Sequence, residues 1–324
     1  MNTAKLFPVL LTPFDLKAKI DYSTVGRLID FYLAAGAQGF FVNCFTSEMY
    51  SLSEEESLEQ AKFVVKFVNR RVPVLATGSF GLTIYDKAEF SKKIFGIGLD
   101  AVILITSHFA NVEDEDEILL KNFEHIFRLT NNIPMGLYEC SVPYKRILNA
   151  DVFAKLAATG RVFHHKDATV DLDLLKAKVD VAKEHPSVQL YQSYSPNTLD
   201  ALQFGANGIS SLSATFFPEI VSWMCNNATN TEKQNQLKWI QDELTRVDEL
   251  LHDAFPMSLK YFLRKRGFPI RLISRAYFKE LTGQQKKTLD EVYNNFLKWC
   301  PKLQIQPVDV EAALMPNVPL DPAF

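Results

Sequence analysis

The chain reads as an α/β protein, a (β/α)8 barrel carrying a helical appendage at its C-terminal end. Three observations predict this. Short apolar runs alternate with helical patterns eight times in succession. The first run ends in Leu11-Thr12-Pro13-Phe14, and not in the glycine-rich phosphate turn that usually opens a doubly wound sheet. Residues 219–300 then carry helical pattern alone.

The strand-like runs are 6–11, 39–43, 72–77, 101–106, 133–138, 162–166, 188–191 and 208–211. Between the first two, Val25, Leu28, Ile29, Tyr32 and Leu33 recur at helical spacing, and Gly36 closes the segment. The next helix opens on Ser53-Glu54-Glu55-Glu56, a capping-box spelling, and continues through Ala61, Val64, Val65 and Phe67. Further helices fit 84–95, 113–129, 150–157, 172–183 and 196–204. The appendage has helical patterns at 219–224, 232–251, 257–265 and 286–300. The expected organisation is a barrel over 1–218, a helical extension of the same unit over 219–300, and a Pro-rich tail over 301–324. The tail is expected to lie along the surface or to cross to another subunit.

Composition narrows the function. Of 324 residues, 47% are apolar and 23% charged, and the formal net charge is −3. That balance points to neither a nucleic-acid nor a membrane-surface partner. The basic stretch Lys260-Tyr261-Phe262-Leu263-Arg264-Lys265-Arg266 reads as a solvated helix end. No apolar run reaches the roughly 20 residues needed to cross a bilayer. Met1-Asn2-Thr3-Ala4-Lys5 leads into the first strand without the shape of a signal peptide. Cys44, Cys140, Cys225 and Cys300 are widely spaced and form no CxxC pair. The expectation is a reduced, cytoplasmic protein with no metal site.

Lys166 is the residue that carries chemistry. It ends the run Val162-Phe163-His164-His165-Lys166 and precedes Asp167-Ala168-Thr169. A lysine at a strand end is ordinarily a surface residue. Buried there, its amine would be neutral at moderate pH and able to attack a carbonyl. In a parallel barrel the working residues sit at the C-terminal ends of the strands. Tyr138 ends the fifth run, about one βα unit before Lys166, so their strands should be neighbours about 4.8 Å apart. Thr46 and Ser47 follow the second run, across the barrel mouth. A small keto acid would bridge the gap, with its carbonyl at Lys166 and its carboxylate at the Thr46-Ser47 loop.

This constellation resembles the dihydrodipicolinate synthase / N-acetylneuraminate lyase family of class I pyruvate lyases, over about the first 300 residues. Leu11-Thr12-Pro13-Phe14 looks like that family's opening strand. Cys44-Phe45-Thr46-Ser47-Glu48 looks like its carboxylate-binding loop. Tyr138 stands where its catalytic tyrosine stands. Lys166-Asp167-Ala168-Thr169 looks like its Schiff-base lysine motif. Gly205-Ala206-Asn207-Gly208-Ile209-Ser210-Ser211 looks like its eighth-strand signature. The resemblance implies Lys166 and Tyr138 as catalytic residues, with Thr46, Ser47, Ser210 and His108 as substrate-binding ones. It implies no cofactor beyond the imine on Lys166, a pyruvate-type keto acid as small-molecule partner, and a homotetramer.

The departures are as informative. Phe45 replaces the first threonine of the loop, a hydroxyl relay residue in the synthase, and the loop glycines are Cys44 and Ser47. Phe109, in Thr106-Ser107-His108-Phe109, stands near where the synthase supplies a relay tyrosine. After Tyr138 the stretch Glu139-Cys140-Ser141-Val142-Pro143-Tyr144-Lys145-Arg146 offers no unambiguous match to the synthase arginine that binds a dicarboxylate. The expected function is therefore a Schiff-base lyase or aldolase that cleaves or joins a pyruvate unit, with a 2-keto-3-deoxy sugar acid as substrate. Alternatives are dehydration of such an acid, hydration and aldol cleavage of an unsaturated keto acid, favoured by Phe45 and Phe109, and dihydrodipicolinate synthesis. A non-catalytic keto-acid sensor is a further alternative, but mere binding needs neither a free amine nor a phenol. The surplus of Phe216, Phe217, Trp223, Trp239 and Trp299 beyond the barrel needs somewhere to bury, in a subunit interface or within the subunit itself.

Overall fold

Eight parallel strands run in chain order: β1 (Lys5–Leu6), β2 (Phe40–Val42), β3 (Val74–Thr77), β4 (Ala101–Ile105), β5 (Met135–Tyr138), β6 (Val162–Asp167), β7 (Gln189–Gln192) and β8 (Gly208–Ile209). The computed structural model describes residues 4–277 and 279–311. One sheet contains all eight strands in the order β1-β8-β7-β6-β5-β4-β3-β2. Parallel bridges at Leu6–Ala37 and Val9–Phe41 join its two edges, so the sheet closes as a barrel. The ladder of β1 is shorter than the apolar run predicts, because Pro8 has no N–H to donate.

Every residue of β2, β3, β4 and β5 is buried, as expected for strands covered on both faces. Side chains alternate between two apolar layers. Ile103 and Ile105 point inward with Phe41, Leu75 and Tyr191, while Val102 and Leu104 point out to the helices. Gly208 lies where β1, β7 and β8 meet, and a Cβ there would come within 2.1 Å of the Lys5 carbonyl oxygen. Only glycine fits that approach.

Seven helices follow the first seven strands: α1 (Tyr22–Ala34), α2 (Glu54–Val68), α3 (Ile84–Phe95), α4 (Asp116–Leu129), α5 (Ala150–Ala158), α6 (Leu172–Glu184) and α7 (Thr198–Phe204). The capping box of α2 forms as spelled: Ser53 Oγ accepts from Glu56 N at 3.1 Å, and Glu56 accepts from Ser53 N at 3.0 Å. Beyond β8 come α8 (Leu212–Phe216), α9 (Pro218–Asn227), α10 (Gln234–His252), α11 (Met257–Lys265) and α12 (Gly283–Leu303). The short α8 has no counterpart in the expected pattern. Helix α12 continues through Pro301 to Leu303, into the stretch expected to be tail. Of that tail only residues up to 311 are described, and 312–324, with any crossing to another subunit, lie outside the described residues.

In the appendage one expectation needs correction and one open alternative is decided. The basic stretch is not simply solvated. Lys260 is fully buried and its ammonium lies 2.5 Å from Glu48 Oε1. Arg266 is buried in a two-armed pair with Glu219, one arm at 3.0 Å. A burial partner for each cation was invisible in the sequence because both acids lie far away along the chain. The aromatic surplus is absorbed within the subunit: Phe217 packs on Phe262, Phe296 and Trp299, and Trp223 and Trp239 lie partly buried against the same core.

Candidate active site

The C-terminal ends of β5 and β6 place Tyr138 and Lys166 opposite each other as register partners. Lys166 points into the barrel mouth and is only 5% exposed. Its ammonium donates a short hydrogen bond to the Ser210 carbonyl oxygen and lies 3.5 Å from Ser210 Oγ. The Tyr138 ring centroid is 5.3 Å from the same nitrogen. Burial disfavours the charged amine and brings its pKa down to about 8, against a smaller opposing effect of the neighbouring Cys44 and Cys140 thiols. Burial likewise pushes the Tyr138 phenol well above its ordinary value, and the nearby Cys140 adds to this. Phe41 meets the tyrosine edge-on at 5.4 Å and fixes its ring.

A cleft of about 170 Å³ opens over this pair, with Phe45, Thr46, Lys145, Tyr194 and Phe255 among its walls. Thr46 is lifted into it by a 3-10 turn, Phe45–Ser47, held between two residues in the left-handed region, Asn43 (φ 51°) and Glu48 (φ 57°). Its hydroxyl makes no side-chain hydrogen bond within the described residues and stays open to a ligand. Phe45 is 38% exposed and stacks on Phe255 of the appendage at 6.0 Å.

The structure brings Lys166, Tyr138, Thr46 and Ser210 together, but not Ser47 or His108. Ser47 is fully buried, and its hydroxyl donates to the Leu10 carbonyl at 2.6 Å and accepts from Cys44 N at 3.1 Å. It closes the turn that carries Thr46. His108 lines a different groove, toward Ile84 and Asn111. Its Nδ1 is 2.8 Å from the Ser79 carbonyl and its Nε2 is 3.1 Å from the Tyr50 hydroxyl, which itself donates to Val142 O at 2.7 Å. Burial lowers the His108 pKa. Phe109 is buried, stacked on Phe123 at 4.6 Å, and so gives the cleft no apolar wall. Arg146 turns to Asp116 at 2.9 Å, whereas the exposed Lys145 faces the cleft.

The adjacent histidines divide as strand alternation requires. His164 faces the barrel interior, stacked on Tyr191 at 4.5 Å, and burial drives its pKa to about 3. His165 faces the helices, against Phe153.

Sequence reasoning missed what holds the site in place. Glu48 is buried and accepts from Lys260, from Ser274 Oγ at 2.8 Å, and from the backbone N–H groups of Arg275 and Ala276 at 2.7 and 2.9 Å. The β2 loop is thereby tied to the appendage. Arg275 adds a two-armed pair with Glu56 at 2.7 and 2.8 Å. Glu139, His165 and Asp167 bring ligand atoms within 4.8 Å of one another, a spacing suited to a cation. The cation present is the Lys178 ammonium, 2.6 Å from Glu139 and 2.8 Å from Asp167. The signal for Lys178 was its place on the apolar stripe of α6 with Leu175, Val179 and Ala182.

A closed parallel barrel with a desolvated amine and a phenol at its C-terminal mouth is the architecture of a Schiff-base enzyme. Residues 2–295 match the model of the Dihydrodipicolinate synthetase family. A relative described as 4-hydroxy-tetrahydrodipicolinate synthase 2, from Halalkalibacterium halodurans, is 32% identical over 228 residues, covering 69% of this chain and 75% of that protein. The 4-hydroxy-tetrahydrodipicolinate synthase of Oceanobacillus iheyensis is 28% identical and covers 91% of this chain and 98% of its own. Among solved structures, YagE, an Escherichia coli K12 prophage protein of the dihydrodipicolinic acid synthase family in complex with pyruvate, superposes with a TM-score of 0.81 at 20% identity, over 91% of this chain and 98% of YagE. The chain belongs to the Dihydrodipicolinate synthetase family. Members of that family are class I pyruvate-dependent lyases and aldolases, and this protein is an enzyme of that class. No helix among the described residues is long and apolar enough to cross a membrane.

Proposed function

We propose that the protein cleaves or joins a pyruvate unit of a 2-keto-3-deoxy sugar acid through an imine on Lys166. The observation that carries this reading is the buried amine of Lys166, with its pKa at about 8, standing 5.3 Å from the ring centroid of Tyr138. The neutral amine adds to the C2 ketone, and loss of water gives the imine. The protonated imine withdraws the electron pair released when the C3–C4 bond breaks. Tyr138 relays the C4 hydroxyl proton: its phenol accepts that proton as it hands its own to the substrate carboxylate, which leaves an aldehyde, and the proton returns by the same route to C3 of the enamine. Hydrolysis then frees pyruvate and the amine. Thr46 and its backbone hold the substrate carboxylate, and the Ser210 carbonyl orients the Lys166 nitrogen. The chemistry asks for no cofactor beyond the imine.

A second reading is hydration and aldol cleavage of an unsaturated 2-keto acid. The apolar stack of Phe45 on Phe255 in the cleft wall favours it. Lys145 and Tyr194 in the same cleft favour the polar sugar acid. Ser47 and His108 act in either case by supporting the loops, not by touching substrate. Within the family setting, we take the enzyme to work in the cytoplasm as a homotetramer, and exposed Leu82, Tyr85, Val112 and Ile118 offer apolar surface for such contacts. Light scattering at micromolar concentration checks this, and a single-chain mass with full activity rules the tetramer out.

Covalent trapping tests the imine itself. Incubation with pyruvate and borohydride should add a single pyruvyl group per chain, on Lys166. Unchanged mass, or labelling that persists in Lys166→Ala, overturns the reading.

A further inference from the structure

Glu139 directly follows Tyr138, and Asp167 directly follows Lys166. Their side chains leave the barrel mouth and converge on one point behind the strands, the Lys178 ammonium of α6. Lys178 is fully buried and donates to Glu139 Oε1 at 2.6 Å, to Asp167 Oδ2 at 2.8 Å and to Thr169 Oγ1 at 2.8 Å. Further donors fill the carboxylates: Glu139 accepts from Leu148 N at 2.9 Å and from Ala168 N at 2.8 Å, and Asp167 from Thr169 N at 2.9 Å, Thr169 Oγ1 at 3.1 Å and Gln192 Nε2 at 3.3 Å. His165 Nε2 lies 3.3 Å from Glu139 Oε1, but neither ring nitrogen makes an aligned hydrogen bond.

We propose that Lys178 is a positioning residue for the reaction: it locks the two residues behind Tyr138 and Lys166 to one charge, fixing phenol against amine. This rests on the Schiff-base reading above.

The geometry supports the lock in two ways. The two acids sit on adjacent strand ends, so a shared ammonium ties the ends together at the level where the reacting groups leave the barrel. Glu139 also bridges to Ala168, two residues beyond Lys166, so the two strand ends are joined twice. Burial alone would push the Glu139 carboxyl up, but the Lys178 charge, assisted by His165, holds it down. Burial alone would deprotonate Lys178, and Glu139 and Asp167 reverse that. Glu139 and Asp167 thus meet the one buried ammonium of Lys178 behind the strand ends that carry Tyr138 and Lys166. Other groups facing Lys166 are Cys44, Cys140, Tyr138, His164 and Ser210; they stay constant in the variants below.

The test uses the pH dependence of imine trapping and of turnover in the full chain. Wild-type trapping on Lys166 is read first; its absence overturns the Schiff-base reading and this proposal with it. Where it is present, Lys178→Met should move the acid limb of the profile to higher pH, because an uncompensated negative charge favours the ammonium of Lys166. Its turnover should fall roughly tenfold or more, the scale of a small misplacement of reacting groups. Glu139→Gln should move the limb to lower pH. Lys178→Met/Glu139→Gln, which restores the net charge, should return it to the wild-type position. A purely structural role would lower the melting temperature without these opposite shifts. Folded variants with the wild-type profile overturn the proposal, and if Lys178→Met does not fold, the direction of the Glu139→Gln shift decides.

Discussion

Tyr138 and Lys166 are Cα register partners on adjacent strands, and the amine nitrogen stands 5.3 Å from the centre of the phenol ring. Parallel pairing sends both side chains to the same face at the same height. The pair is thus a product of register, and a change of one residue in either strand would turn one partner out of the barrel.

Tyr138→Phe separates binding from proton transfer. The variant keeps the ring that packs on Phe41 and loses only the hydroxyl. Pyruvate imine should still be trapped by borohydride, while turnover falls roughly 10²–10⁴-fold, the usual worth of a proton-transfer group. Near-normal turnover would assign the proton to another group.

The pH profile follows from the depressed amine. Only the neutral form of Lys166 attacks a ketone, and its pKa lies near 8 because burial disfavours the charge. The kcat/KM for a keto acid should therefore rise with pH and level off above about 8. Measured across pH 6 to 10 with a coupled pyruvate assay, a profile flat through this window would contradict the assignment.

Condensation of pyruvate with aspartate semialdehyde should be slow or absent. Phe45 offers no hydroxyl, Phe109 is buried in the core, and Arg146 is engaged by Asp116. No arginine of that segment faces the cleft to take a second carboxylate. A kcat/KM of about 10⁴ M⁻¹s⁻¹ or more for that pair would show that Lys145 and the cleft walls suffice.

Glu48→Ala should unfold the link between the β2 loop and the appendage. It strands the buried ammonium of Lys260, and breaking such a pair costs about 3–5 kcal/mol. Chemical denaturation should report a loss of that order, and Glu48→Gln/Lys260→Met should recover much of it because no charge is left unpaired. Equal losses in both variants would mean that packing, not charge, holds the junction.

Much of the fold was legible in the chain. The eight strand runs and the (β/α)8 order follow from periodicity, because strands buried on both faces must be apolar throughout and their crossover helices amphipathic. Strand ends were less legible: Pro8 cut β1 short, and α8 was too brief to show a period. Within the site, Lys166, Tyr138 and Thr46 were readable from position at strand ends. Ser47 and His108 shared that position but not the direction of their side chains, which hydrogen bonds to Leu10 and Ser79 decided.

By itself the sequence determined the layered architecture and the pairing of Lys166 with Tyr138 at the barrel mouth, since both depend on local pattern and on neighbours within one βα unit. The tertiary structure alone decided which charges would be buried and with whom. Lys178, Lys260 and Arg266 look like ordinary helix cations, and their partners Glu139, Glu48 and Glu219 lie from tens to hundreds of residues away. A buried charge is tolerated only where a counter-charge arrives through folding. That arrival has no local period for a sequence to display.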